Sequence, residues 1–288
     1  MKKYIPAYKA YLVSARKSEH TIKQYENDAK QFANFFHEQP KEDINEVIQN
    51  YVNDLHEKYN SKSSINRKLA ALKAFLGFLL SRQYIESFQE TLLHPIQQMP
   101  EKLNTLSEQQ LIEVLACWEK YYRIAEKDEH KWLAMRNLAI THAIATLGIK
   151  PAELVKMKWT HIDEDTHQIV ILQRNSYRTL QLPTDTMQIL LQYKEETHKF
   201  FPQLDNVEEL WLGVGNKLGS PITVKTVERI FQQLSKMIGF KISCTNLRYT
   251  VINRLMQEAE LEDIYIQLGY ARKGVLAERQ HRLHQEEL

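Results

Sequence analysis

Arg248 is the residue with the most distinctive chemistry in this chain of 288 residues. A guanidinium is a permanent cation with five donors in a planar fork, suited to gripping a phosphate from two sides. A second set of polar groups lies on the segment that follows Ser61, Ser63 and Ser64. There Ile65, Leu69, Leu72, Phe75 and Leu79 make one apolar face, and Lys62, Asn66, Arg67 and Lys73 fall elsewhere. Such charges form either a solvated helix face or a face laid against a nucleic-acid groove. Lys225 and Arg229, four apart, have the same two readings, a solvated pair or a backbone-contacting pair. His281 and His284, three apart, could ligate a metal from a helix, but no Cys, Asp or third His completes a set. No metal and no cofactor are therefore expected.

The elements that position these residues are mostly helical. Eight glycines and eight prolines imply few tight turns, and 43% apolar with 26% charged residues is an ordinary globular mix. The length allows two domains with their own cores. Ser18 caps a helix carrying Ile22, Tyr25, Ala29, Phe32 and Phe36, and a further helix starts near Asp43. Residues 1–87 thus read as a four-helix domain. His94-Pro95 and Met99-Pro100 mark 88–104 as a linker, and Ser107 to Gln110 has capping-box spacing that opens a second domain, 105–288. Within it, Leu147-Gly148 ends a buried helix and Pro151 starts another. Gln168 to Leu172 and Arg178 to Leu182 form a β-hairpin, and Thr223 to Met237 is an amphipathic helix. Arg248 then opens a helix with Val251, Leu255 and Ala259 at spacing four, and a short helix, Leu261 to Leu268, ends at Gly269. The fold class is mainly α with a small β-hairpin or sheet.

Net charge is +2, with residues 1–87 holding 14 Lys/Arg against 10 Asp/Glu and the remainder 24 against 26. The basic excess sits in the first domain, and DNA binding needs local cations rather than a high total. No run approaches a membrane span, and the basic N-terminus lacks the continuous apolar core of a signal peptide. Cys117 and Cys244 are expected as reduced thiols and the location as cytoplasmic and nucleoid-associated.

Asn246-Leu247-Arg248-Tyr249-Thr250 followed by Leu268-Gly269 resembles the C-terminal signature of the tyrosine recombinases, the phage integrases and Xer-type enzymes. Leu147-Gly148-Ile149-Lys150-Pro151-Ala152-Glu153-Leu154 resembles that family's first box, and Ser64-Ile65-Asn66-Arg67-Lys68-Leu69 its core-binding domain. The resemblance runs from about residue 4 to residue 279. It implies an N-terminal SAM-like core-binding domain and a C-terminal catalytic-type domain acting on double-stranded DNA. It also implies that the helix carrying Lys62, Asn66, Arg67, Lys68 and Lys73 touches DNA, and Arg174, Lys225 and Arg229 are further candidate contacts from their charge and position.

The family's reaction joins a tyrosine oxygen to a DNA phosphate, with two arginines on the phosphate oxygens and a lysine protonating the leaving hydroxyl. Matched position by position, only Arg248 is unchanged. Lys150 stands for the first arginine, Thr245 and Tyr270 for the histidines, Gln173 for the lysine and Arg279 for the tyrosine. Gln is no proton donor in the acid–base sense, and Arg279 is no nucleophile. The expectation is a catalytically impaired homologue that binds DNA and acts in or regulates recombination or integration, alone as an oligomer or beside an active recombinase. Two alternatives stand. One is an active recombinase with Tyr270 or Tyr249 as a relocated nucleophile. The other is a protein-interaction scaffold without DNA binding, a reading that the near-neutral charge supports.

Overall fold

Several helices in this protein start where a side-chain oxygen meets an orphaned amide. The computed structural model describes residues 1–39, 43–97, 105–173, 176–204, 207–258 and 260–269. The chain divides into two compact units, Met1–Lys102 and Leu103–Leu288.

The first unit contains helices α1 (Ile5–Ser14), α2 (Glu19–Glu38), α3 (Ile44–Lys58) and α4 (Lys62–Ser81). Ser18, Asp43 and Ser61 cap α2, α3 and α4 by accepting from the amides of Thr21, Asn45 and Ser64. Their apolar faces meet around Tyr8, Phe32, Ile48, Phe75 and Leu79, all fully buried. The boundary differs from the one expected. A 3-10 turn at Glu90–Leu93 sets Leu93 into this core, with Phe88, Leu92 and Ile96 packed against it. Residues 88–97 are therefore part of the first unit rather than linker, because their apolar side chains are buried there. The rest of the expected linker, residues 98–104, lies outside the described residues.

The second unit is built on α6 (Asp128–Leu147), a helix buried on nearly every side. Helices α5 (Glu108–Ile124), α8 (Thr184–Phe200) and α10 (Cys244–Glu258) pack on it. Ser107 and Gln110 form the capping box of α5. Thr223 and Thr226 do the same for α9 (Val224–Ile238), whose Val227, Ile230, Phe231 and Leu234 face inward. Gly148 closes α6 in the left-handed region at φ +61°. Pro151 then opens the one-turn α7 (Pro151–Leu154).

A three-stranded antiparallel sheet follows, β1 (Ile162–Asp163), β2 (Gln168–Leu172) and β3 (Tyr177–Gln181), in that order. β1 had no counterpart in the sequence reading, since two residues carry no alternation. Ile171 lies opposite Arg178 and Leu172 opposite Tyr177. On β3 the buried positions are Arg178 and Leu180, so an arginine points to the core side of the strand. The short α11 (Leu261–Leu268) follows α10 and ends at Gly269, again left-handed at φ +60°. Among the described residues, no helix is long and apolar enough to cross a membrane.

Candidate functional site

The site of the second unit forms where α6 stops. Ser243 and Asn246 cap α10 reciprocally: Asn246 N donates to Ser243 Oγ at 3.2 Å, and Ser243 N donates to Asn246 Oδ1 at 3.0 Å. This cap fixes the first turn of α10, from which Arg248 projects. Its Nε donates to the carbonyl of Gly148 at 2.6 Å. The guanidinium thus sits at the C-terminal end of α6, where the helix dipole favours a cation. Gly148 admits no side chain. A Cβ there would come within 2.9 Å of Leu268 Cδ2 and 3.3 Å of Val251 Cγ1, at a φ that L residues rarely adopt.

Lys150 follows two residues later. Its amide donates to Glu153 Oε2 at 2.8 Å. Glu153 is 7% exposed and receives a two-pronged ion pair from Arg178, 3.0 Å to Oε1 and 3.1 Å to Oε2. Arg178 Nε donates to the carbonyl of Gln267 at 2.7 Å, in the last turn of α11. One buried carboxylate therefore holds Arg178 and the Lys150 amide, and the charges of Glu153, Arg248 and Arg178 all act on the Lys150 ammonium. Burial, together with the positive charges of Arg248 and Arg178, lowers the Lys150 ammonium below its ordinary range, with Glu153 opposing. Burial alone would raise the Glu153 carboxyl, but the Arg178 hydrogen bonds, the Lys150 amide and both cations outweigh it and hold it low.

Gln173 ends β2. Its amide nitrogen donates to Ser176 O at 2.8 Å, and its Oε1 accepts from Ser176 Oγ at 3.0 Å. Its Nε2 lies over Gly269, in space that a Cβ on that glycine would overlap, and Arg178 Nη1 is 2.7 Å from the same point. Lys150, Gln173 and Arg248, matched to the family motif from sequence, thus belong to one cluster with Gly148, Glu153 and Gly269. Thr245, on the first turn of α10, is exposed. Tyr249 packs with Ile252, Ile264 and Leu268. Arg174, Tyr270, Arg279, His281 and His284 lie outside the described residues. Arg178 was missed by the sequence reading. The available signal was strand alternation, which puts Arg178 on the face of Leu180.

The cluster offers cations and amide donors to an anion. Among the described residues no three His, Cys, Asp or Glu side chains are placed to hold a metal. A cleft of about 600 Å³ lies elsewhere in this unit, lined by Trp159, Leu191, Tyr193, Leu204, Val207 and Leu212.

The cations of the first unit behave differently. Asp28, 6% exposed, pairs with both Arg67 and Lys68. Lys68 is 4% exposed, 2.8 Å from Asp28 Oδ1, and its ammonium also donates to Gln31 Oε1 at 2.7 Å. Asn66 is tied to Ile96, donating to its carbonyl at 2.9 Å and accepting from its amide at 2.8 Å. These contacts correct the expectation that Lys68 and Asn66 face DNA. An ammonium buried against a carboxylate and an amide used as an internal clasp serve the fold. Arg67 is partly exposed. Lys73 pairs with Glu90 at 2.6 Å on the surface, and Lys62 is exposed. In the second unit Lys225 and Arg229 lie exposed on α9.

Comparison with known proteins bears on this arrangement. The family model for the phage integrase N-terminal SAM-like domain matches residues 5–83. Tyrosine recombinase XerC of Staphylococcus carnosus is 26% identical over 278 residues, covering 93% of this chain and 88% of the relative. XerC of Thermodesulfovibrio yellowstonii is 25% identical over 260 residues, 88% of this chain and 83% of the relative. Among solved structures, XerH recombinase bound to a palindromic difH substrate after cleavage superposes with a TM-score of 0.72 at 17% identity, over 92% of this chain and 78% of that one. A lambda integrase dimer bound to a core site gives 0.68 at 16%, over 95% and 96%. The structural likenesses speak for the fold. The matched model identifies residues 5–83 as a phage integrase N-terminal SAM-like domain, and over most of its length the chain is similar to the XerC tyrosine recombinases.

Proposed function

We propose that this protein binds duplex DNA through phosphate contacts and acts in or beside DNA recombination without cutting DNA itself. The observation that carries this reading is the gathering of Lys150, Arg178 and Arg248 near the carboxylate of Glu153, at the end of α6. Three cationic side chains are gathered in one partly buried place, and charged donors make the strong hydrogen bonds that an anion accepts. XerH and lambda integrase are relatives in fold whose structures hold DNA. The departures lie in the reacting groups. Gln173, where the resemblance calls for a lysine, cannot protonate a leaving hydroxyl. The position matched to the nucleophile is Arg279. Tyr249, one of two substitutes for that tyrosine, is packed among Ile252, Ile264 and Leu268, which disfavours it as an attacking oxygen.

The test is a mobility-shift titration over a salt series, with the wild type and Arg248→Ala. The wild type should lose affinity as salt rises, and Arg248→Ala should bind about tenfold more weakly with a salt slope shallower by about 1. A nicked suicide substrate should trap no covalent adduct. An adduct lost in Tyr270→Phe would establish the relocated nucleophile instead, and absence of salt-sensitive binding would establish the scaffold reading.

A further inference from the structure

Arg178 is a buried charge that the functional reading counts among the site's cations without giving it a role of its own. It stands on the core side of β3, 7% exposed. Its contacts reach three other parts of the chain. Two nitrogens hold both oxygens of Glu153 on α7, at 3.0 and 3.1 Å. The third donates to Gln267 O at 2.7 Å, in the last turn of α11. Glu153 in turn receives the Lys150 amide at 2.8 Å. Beside Arg178, Gln173 occupies the space above Gly269. Among the described residues, the hairpin, the Lys150 turn and the end of α11 have no backbone ladder in common. The guanidinium of Arg178 joins them, and only a planar fork can meet two carboxylate oxygens and a carbonyl together.

We propose that Arg178 is the positioning residue of the anion site, acting on Lys150 through Glu153 and on the hairpin end through its own strand. This rests on the anion-site reading above, and it adds the residue that sets the geometry. Arg178 need not touch the ligand. It fixes where Glu153 lies, and therefore how much negative charge Lys150 feels. Among the described residues, the charged groups that act on Lys150 include Glu153 from α7, Arg178 from β3 and Arg248 from α10. Gln173, from the end of β2, is neutral.

The test uses the full chain as wild type, Arg178→Met, Glu153→Gln and the double variant. The titration of the Lys150 ammonium is followed in the free protein by side-chain NMR, assigned with Lys150→Arg. Removing Arg178 takes a cation away from Lys150 and should move its titration upward. Removing the Glu153 charge should move it downward. The shifts should be about half a pH unit or more, with opposite signs. The double variant leaves no unpaired buried charge, so it keeps the experiment interpretable if a single variant unfolds. Its titration should lie between those of the two single variants, because the two removed charges act on Lys150 in opposite directions. DNA affinity should fall at least fivefold in the double variant while its melting temperature stays within a few degrees.

An Arg178 that merely pins the fold would lower the melting temperature and leave Lys150 titrating as in the wild type. That result, or shifts of the same sign in the two single variants, would overturn the proposal. A wild type that binds no DNA would overturn the functional reading, while the Lys150 titration would still decide the role of Arg178.

Discussion

Asp28 in the first unit and Glu153 in the second are both buried carboxylates, 6% and 7% exposed, and both hold an arginine. Asp28 also takes the ammonium of Lys68 directly, and that ammonium is closed off further by Gln31. Glu153 takes both prongs of Arg178 and the amide of Lys150, and Lys150 and Arg248 are set around the pair. The first network neutralises its lysine inside the fold. The second gathers cations at the end of a helix. A basic residue in a family motif is therefore not in itself a ligand contact. What decides is whether a carboxylate from elsewhere in the chain already holds its charge.

The largest effect that tests this difference is expected at Asp28. Asp28→Asn leaves the Lys68 ammonium buried without its counter-charge, so the first unit should lose about 3–5 kcal/mol in a denaturant melt followed by far-UV circular dichroism. A loss under about 1 kcal/mol would show that the network is a surface feature and break the comparison.

Acid gives the next effect, confined to the second unit. Burial holds the His142 imidazole below its ordinary 6.5, with Asp185 and Glu119 opposing. The folded state then keeps His142 neutral while the unfolded chain takes up a proton. The stability that this confers is full above pH 6.5 and is lost as pH falls towards the lower folded value, with a slope of at most about 1.4 kcal/mol per pH unit. His142→Gln should remove this slope. All four tryptophans, Trp118, Trp132, Trp159 and Trp211, belong to the second unit, so tryptophan fluorescence follows it alone.

The smallest stability effect is expected at the exposed lysines of α4. Lys62→Ala with Lys73→Ala should change stability by less than about 0.5 kcal/mol, since the Lys73–Glu90 pair is exposed on both sides. The same variant should weaken DNA binding about threefold and make its salt dependence shallower. Unchanged binding would remove α4 from the DNA surface and leave the second unit as the reader.

The helices of both units were legible because their signals are local. Ser18, Ser107 and Thr223 are caps within three residues of the amides they satisfy, and Gly148 and Gly269 stop helices through their own backbone. The hairpin was legible from alternation, displaced by one residue at β3. Arg248, Lys150 and Gln173 were found through motif resemblance. The partners of the charges could not be read. Asp28 is 40 residues from Lys68, and Glu153 is 25 residues from Arg178. Neither pair leaves a periodic trace, because the fold alone brings its members together. The segment 88–97 was misplaced for the same reason: Pro95 announces a break, while the burial of Leu93 depends on distant helices.

The carbonyl of Gly148 has one more consequence. By holding Arg248 through Nε, it sets the plane of the guanidinium before any ligand arrives. A long side chain ordered at the moment of association would cost about 0.5–1.5 kcal/mol in lost rotamers. Here that entropy is given up when the second unit folds, so Arg248 is preorganised. A loosened α6 end should therefore show up as slower, weaker capture of DNA even with every charged residue still in place.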